Sequence, residues 1–403
     1  MNHSINRRVF ISVLLGHTVV LQIITFALRP SLAYALLDLN DTPALLGIVS
    51  ASFAVPALLL ALPAGRLVDQ LGERTALVAG GIVLIASPAV MFLGPPSVAS
   101  VIASTFLLGC GHLLSVVGEQ SVVANRTHGS RLDAAFGYYT FAASIGQAIG
   151  PLLLAIPGAD PTSPPLQFIF STCLVSAAFL TLLACFLPST HIDHVGERPT
   201  MLRSAGSLLK RPDVLRALTA SSIALASVDI TLVYWPALGQ ERGLSVAAIS
   251  AMLFARSIAT MTSRVLLAPL ARLIGRRTLM VTSIGVSALA LVAIAIPLPL
   301  WALILAAVVF GFSIGVCQPI TMSWLAELAT PGQRGMTMSL RLAGNRIGQS
   351  VIPAVVGSIA VATGVGGVLV GTAISLGFAA WSSAAVTDSH RPPPDSELGD
   401  PVR

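Results

Sequence analysis

The chain has 403 residues, 55% of them hydrophobic and only 10% charged, with a formal net charge of +6 and a mean hydropathy of +0.85. Soluble domains carry about 25% charged residues, so the composition excludes a soluble enzyme and describes a polytopic membrane protein. The surplus of base does not point to nucleic acid, because the arginines sit in short loops between apolar runs, where they report membrane topology.

Apolar runs recur at the spacing of a ~20-residue span plus a short loop, which predicts an all-α membrane protein of twelve helices. The first run, Val9 to Ala27, follows Arg7 and Arg8 and continues through Arg29-Pro30 towards Leu37. Ser31-Leu32-Ala33-Tyr34-Ala35 has the small-residue look of a cleavage site. The apolar part of a signal peptide is only about 7–15 residues long, however, so this run is expected to remain as helix 1. Helices 2 to 6 are expected near Ala44–Val68, Thr75–Gly94, Val98–Ala124, Asp133–Pro157 and Leu166–Leu187. After a polar stretch, helices 7 to 12 are expected near Val214–Gln240, Ser245–Pro269, Thr278–Ile296, Leu300–Leu328, Gly335–Ala362 and Gly367–Val386. The predicted organisation is an N-terminal six-helix bundle (1–187), a cytoplasmic linker (188–212), a C-terminal six-helix bundle (213–386) and a proline-rich tail (387–403) too polar to pack.

Arg126, Arg131, Arg272, Arg276, Arg277 and Arg334 share the linker's side, whereas the opposite loops hold Arg242 beside Asp38, Asp41, Asp160 and Glu241. The positive-inside bias then places both termini in the cytoplasm and the chain in the cell's inner or plasma membrane. Cys110, Cys173, Cys185 and Cys317 lie in apolar runs without a C-x-x-C pair. They are expected to be buried packing residues with no disulfide and no metal site.

An internal repeat supports the division into two halves. Ile145-Gly146-Gln147-Ala148-Ile149-Gly150-Pro151 in helix 5 matches Ile347-Gly348-Gln349-Ser350-Val351-Ile352-Pro353 in helix 11, 202 positions later. Leu67-Val68-Asp69-Gln70-Leu71-Gly72-Glu73-Arg74 is echoed by Leu270-Ala271-Arg272-Leu273-Ile274-Gly275-Arg276-Arg277, 203 positions later. Repeats of this kind typify transporters whose halves rock about a site at the midplane. In the first copy, Gly65 and Gly72 allow close backbone approach and a tight turn, and Asp69 can accept hydrogen bonds or face the positive end of a neighbouring helix. Asp69 is matched by Arg272 in the second copy, so only the first loop is expected to act as an acidic latch.

On these residues the chain resembles a major facilitator superfamily transporter over nearly its whole length. Gly65, Leu67, Asp69, Gly72 and Arg74 stand in register with the family's loop signature between helices 2 and 3, with Gln70 and Glu73 in place of the usual bases. The resemblance implies that this loop latches the two halves and favours the outward-open state. Gly137, Gly146, Gly150 and Pro151 resemble the helix-5 motif of the superfamily's drug and metabolite antiporters, although Leu153 and Leu154 stand where further glycines are common. Those antiporters usually carry an arginine in helix 4, where this chain has Thr105.

Charge at membrane depth costs at least about 2.5–3.5 kcal/mol and is usually functional. Position along each span puts Asp229, Arg256, Arg346 and His112 near the midplane, Glu119 two turns nearer the cytoplasm, Arg29 in the outer half and Arg341 in the inner half. Asp229, then Glu119, are the candidates to carry a proton, each with a permanent ion pair as the alternative. His112 is either a packed core group or a relay. The arginines outnumber the acids, which implies an anionic or amphiphilic substrate or bases that satisfy backbone carbonyls. Arg264 and Glu327 lie near loops, and Tyr34, Tyr138, Tyr139, Tyr234, Trp235 and Trp324 are suited to stacking on a solute or to anchoring at the membrane interface.

No nucleotide-binding loop, metal-ligand pair or nucleophile–base arrangement stands in the sequence, so neither catalytic residues nor a cofactor are expected. The expected function is secondary active transport: proton-coupled export of a small organic molecule by alternating access, powered by the proton gradient. The alternative on the same fold is an importer or facilitator of a small anion or nutrient; a non-transporting receptor, scaffold or intramembrane enzyme is the third. The expected partners are the solute and the lipid bilayer, and the expected state is a monomer.

Overall fold

The structure is a computed structural model that describes residues 2–39, 44–126, 132–156, 163–187, 209–328 and 334–385. Every regular element among them is a helix. In chain order these are α1 (Asn2–Leu37), α2 (Ala44–Leu71), α3 (Glu73–Leu93), α4 (Val98–Arg126), α5 (Leu132–Ile149) and α6 (Leu166–Phe186), then α7 (Pro212–Arg242), α8 (Val246–Ile274), α9 (Arg276–Ala295) and α10 (Leu300–Leu328). The last stretch, Arg334–Ala384, is broken at Gly364 (φ 65°, ψ −171°) into α11, 334–363, and α12, 365–384. Nine helices among the described residues are long and apolar enough to cross a membrane, and Leu45–Leu60 is a shorter apolar one. The expected linker (188–212) lies outside the described residues except at its end, as does the expected tail.

Several helices run longer than the hydropathy pattern suggested, and the turns that follow α2 and α8 are correspondingly short. α1 passes through Pro30 to Leu37, and α8 passes through Pro269 to Ile274. An interior proline gives up one hydrogen bond, which neighbouring helices can compensate in a membrane bundle. The expected loop Gly65–Arg74 is therefore helical up to Leu71, and Gly72 alone separates α2 from α3 (φ 83°, ψ 161°). Gly275 separates α8 from α9 in the same conformation (φ 81°, ψ 148°). This region of backbone space is open only to glycine, and it lets two antiparallel helices join through one residue. The α5 helix, expected to reach Pro157, instead tightens into a 3₁₀ turn at Gly150–Ala155, because Pro151 cannot donate the next helical hydrogen bond.

The repeat in sequence is a repeat in packing. Gly146 of α5 sits against the Val19 carbonyl and the Gln22 side chain of α1, and Gly348 of α11 sits against Ser222 of α7. Gly109 of α4 lies on the backbone of Phe53 in α2, and Gly311 of α10 lies on the backbone of Arg256 in α8. Small residues at such crossings let backbones touch, the usual basis of helix association where no water drives it. The two six-helix halves so built meet along α1, α2, α5, α7, α8 and α11.

Large apolar side chains such as Leu59, Val175, Phe186, Leu289, Trp301 and Trp381 point outward, as a lipid-facing surface requires. Cys173 and Cys317 are buried as expected, but Cys110 is only half-buried and Cys185 is exposed. The aromatic residues correct another expectation: Tyr34, Tyr139, Tyr234, Trp235 and Trp324 are all buried, and Tyr138 alone of the six is exposed. Trp235 packs edge-on against Phe310, with ring centroids 6.3 Å apart. These five rings therefore fill the interior instead of anchoring at the interface.

Candidate solute and proton site

Helices α1 and α7, the first of each half, bring an opposed pair of charges together at the centre of the bundle. Arg29 Nη1 donates to Asp229 Oδ1 at 2.5 Å, and both side chains are buried. From α11, Gln349 Nε2 donates to Asp229 Oδ2 at 2.7 Å, and Arg346 Nη1 donates to Gln349 Oε1 at 3.0 Å. Arg256 of α8 and Arg346 both lie within electrostatic reach of Asp229. Three guanidinium groups thus surround a single carboxylate.

Aromatic rings wall the cluster. The Arg29 guanidinium stacks 4.5 Å from the centroid of Phe53, and Arg256 lies 6.0 Å from that of Phe26. Phe53 also meets His112, with ring centroids 5.3 Å apart. His112 Nε2 is 3.5 Å from Gln22 Nε2, and Gln147 Nε2 donates to Gln22 Oε1 at 3.4 Å. Gln147 and Gln349 occupy matching places in the two halves, and each reaches back to the first helix of its own half. His112, Gln147 and Arg346 are half-buried.

The other expected residues fall elsewhere. Glu119 of α4 is paired not with an arginine but with His17 of α1, Nδ1 to Oε1 at 2.6 Å, with both side chains fully buried. Arg341 is buried, and its Nε and Nη1 lack hydrogen-bond partners among the described residues. Arg264, half-buried on α8, bridges the halves, donating to Ser144 of α5 at 2.9 Å and to Gln318 of α10 at 3.2 Å. Glu327 lies within α10 and Gly65 within α2, nothing being described of the side chains of Leu67, Asp69 and Glu327, and Arg74 is exposed on α3. In the α5 motif, Gly146 and Gly150 both press on α1, whereas Gly137 meets nothing.

At the end of the bundle opposite the Gly72 and Gly275 turns, the halves close on each other. Ser250 of α8 donates to the Pro151 carbonyl at 2.6 Å. A Cβ on Gly47 of α2 would lie 3.0 Å from the Gly357 Cα of α11 and 3.2 Å from the Tyr234 hydroxyl of α7.

Sequence reasoning overlooked His17, Gln22, Gln349, Phe26 and Phe53. His17 was open to the same argument as His112, being ionisable within a span, and Gln147 and Gln349 are the polar centre of the repeated Ile-Gly-Gln motif.

Comparisons with known proteins agree with this architecture. A search of curated protein sequences found no match. Among solved structures, the chain is similar to a D-xylose–proton symporter (TM-score 0.76, 14% identity, 94% of this chain and 98% of that one). It is also similar to the nucleoside transporter NupG (TM-score 0.73, 14% identity, 93% and 98%). A third similar structure is a bacterial homologue of the human lysosomal transporter Spinster in an inward-facing, unoccupied conformation (TM-score 0.69, 14% identity, 94% and 97%). The sequence profile of the Major Facilitator Superfamily matches residues 14–235 and 217–402. With twelve helices in two repeated halves and a charged centre between them, the chain belongs to the Major Facilitator Superfamily.

Proposed function

We propose that this protein is a proton-coupled secondary transporter that moves a small organic molecule by alternating access, with Asp229 as its proton-binding carboxylate. The observation that carries the reading is the Arg29–Asp229 pair, which joins α1 of one half to α7 of the other. A proton on Asp229 removes the charge that holds Arg29, so protonation loosens a contact between the two bodies that must rock. The Gly72 face is the cytoplasmic one in this proposal, and contacts such as Ser250–Pro151 close the outer face. Gly65, Asp69, Gly72 and Arg74 then form the latch of the opposite state.

Export in exchange for protons is the first reading of direction. Its support is the α5 motif: Gly146 and Gly150 lie on α1, the helix that carries Arg29, and the Pro151 carbonyl takes part in closing the halves. Uptake of a small anion is the second, favoured by the excess of arginine around Asp229. The test is transport in proteoliposomes with an imposed pH gradient. The Asp229→Asn variant should lose gradient-driven accumulation and keep solute–solute exchange. Loss of both, in a protein that melts like the parent, would remove Asp229 from proton coupling.

A further inference from the structure

We infer that the central cluster is a binding site for an organic anion, a carboxylate on an apolar or aromatic body, and that this anion competes with Asp229 for Arg29. The inference rests on the proton-coupled reading above and names its substrate class. Its first ground is charge. Arg29, Arg256 and Arg346 supply three positive charges at the middle of the bundle, and Asp229 supplies one negative charge. Buried cations in a membrane are compensated by partners, and the two surplus charges here have none among the described acids.

Its second ground is geometry. Arg29 Nη2 and Arg256 Nε are buried donors without a hydrogen-bond partner among the described residues. Leaving such a donor unpaired costs about 1–3 kcal/mol, more for a charged group, and a carboxylate is the group that a guanidinium fork accepts best. Phe26 and Phe53 stand against the same two guanidiniums. An anion bound there would have its charge on the forks and its apolar part on the rings. His112, Gln147 and Arg346, beside the cluster, are only half-buried.

The groups that face Asp229 fix the sign of its linkage to the anion. They are Arg29 from α1, Arg256 from α8, Arg346 and Gln349 from α11 and, beyond Phe53, His112 from α4. While Asp229 is ionised it occupies Arg29 and Gln349. Once protonated it releases the fork, so the proton and the anion bind together. Linkage is reciprocal, and co-binding makes the two travel in the same direction. On this inference the uptake reading gains over exchange.

The experiment is a binding titration on the purified full chain in detergent, read by thermal shift, with benzoate, hexanoate and inorganic phosphate as probes. Benzamide and benzylamine serve as the neutral and cationic counterparts of benzoate. An ordinary carboxylic acid has a pKa near ~4 and stays ionised above about pH 6. Affinity for benzoate should therefore rise as the pH is lowered from about 8, because a proton on Asp229 frees the Arg29 fork. Asp229→Asn should bind about tenfold more tightly than the parent at the higher pH and lose the pH dependence, a gain that misfolding cannot produce. Arg256→Gln should bind about tenfold less tightly. The inference is overturned if benzoate and hexanoate bind no better than benzamide and benzylamine, if phosphate binds best, or if affinity ignores pH. Gradient-driven flux of a neutral or cationic solute without binding of these carboxylates would overturn the anion and leave the transport reading intact.

Discussion

Phe53 and Arg256 occupy equivalent places in the two halves of the bundle. Gly109 packs on the backbone of Phe53, and Gly311, in the second copy, packs on the backbone of Arg256. The scaffold is thus symmetric where the chemistry is not: at one crossing the fold presents a ring and at the other a guanidinium, and both face the same central carboxylate region. A symmetric pair of rocking bodies can in this way carry a one-sided charge.

That packing predicts the effect of adding a methyl group at each crossing. Gly311→Ala puts a Cβ 2.8 Å from the Arg256 Cα, and Gly109→Ala puts one 3.2 Å from the Phe53 Cα, each with the carbonyl oxygen nearer still. Backbone cannot give way as a flexible side chain can, so each variant should lose about 1–3 kcal/mol. Gly137→Ala, with nothing within 4 Å, should be neutral or stabilised by up to about 1 kcal/mol. Melting temperatures in detergent check the order, and a Gly311→Ala protein as stable as Gly137→Ala would remove the close crossing.

The one-residue turns make a second prediction. Gly72 and Gly275 have φ of 83° and 81° with ψ of 161° and 148°, a conformation whose cost to any other residue is about 1–3 kcal/mol. No neighbour lies within 4 Å of a Cβ at Gly275, so Gly275→Ala isolates this backbone strain from crowding. Its melting temperature should fall, and Gly275→Asn should fall less than Gly275→Val, since branched side chains tolerate positive φ least.

Much of this was legible in the sequence, and the remainder was hidden for identifiable reasons. Hydropathy period and the repeated glycines carry the fold, because membrane spans need length and close crossings need small residues. The charged residues of the site were visible as ionisable groups at depth, but their partners were not. Arg29 and Asp229 are 200 residues apart, and only the crossing of α1 on α7 brings them together. The aromatic residues were ambiguous in sequence: Tyr34 and Tyr234 lie near the ends of apolar runs, where interface anchoring is common, yet both are buried within the bundle. The extra helical turns around Gly72 and Gly275 were hidden because polar residues at a membrane surface look alike in loops and in protruding helix ends.

Arg29→Ala tests what the central pair contributes to stability. It leaves Asp229 buried with Gln349 as its remaining hydrogen-bond partner, and removing one member of a buried pair costs about 3–5 kcal/mol. Adding Asp229→Leu should recover only part of that loss, because the carboxylate is no longer stranded but Arg256 and Arg346 then lose the acid nearest them. Gln349→Leu in the parent removes two hydrogen bonds to charged groups, one to Asp229 and one from Arg346, and should cost about 1.5–3 kcal/mol for each. Urea or thermal unfolding in detergent measures all three, and additivity of Arg29→Ala with Asp229→Leu would mean that the pair is not coupled.

His17 and Glu119 make the same argument inside one half, where no rocking interface is involved. Their contact of 2.6 Å ties α1 to α4 with both side chains fully buried, and Tyr139 of α5 adjoins the same carboxylate. His17 Nε2 and Glu119 Oε2 have no hydrogen-bond partner among the described residues, so the pair rests on its one close contact and on the Tyr139 side chain beside the carboxylate. Glu119→Leu should strand the histidine and His17→Phe should strand the carboxylate, each at about 3–5 kcal/mol, whereas the double variant should return to within about 1–2 kcal/mol of the parent. A pair that merely fastens α1 to α4 leaves the proton dependence of transport at its parental midpoint in the double variant. If that midpoint moves while the melting temperature recovers, His17 and Glu119 take part in proton coupling beside Asp229, and the N-terminal half contributes a proton site of its own.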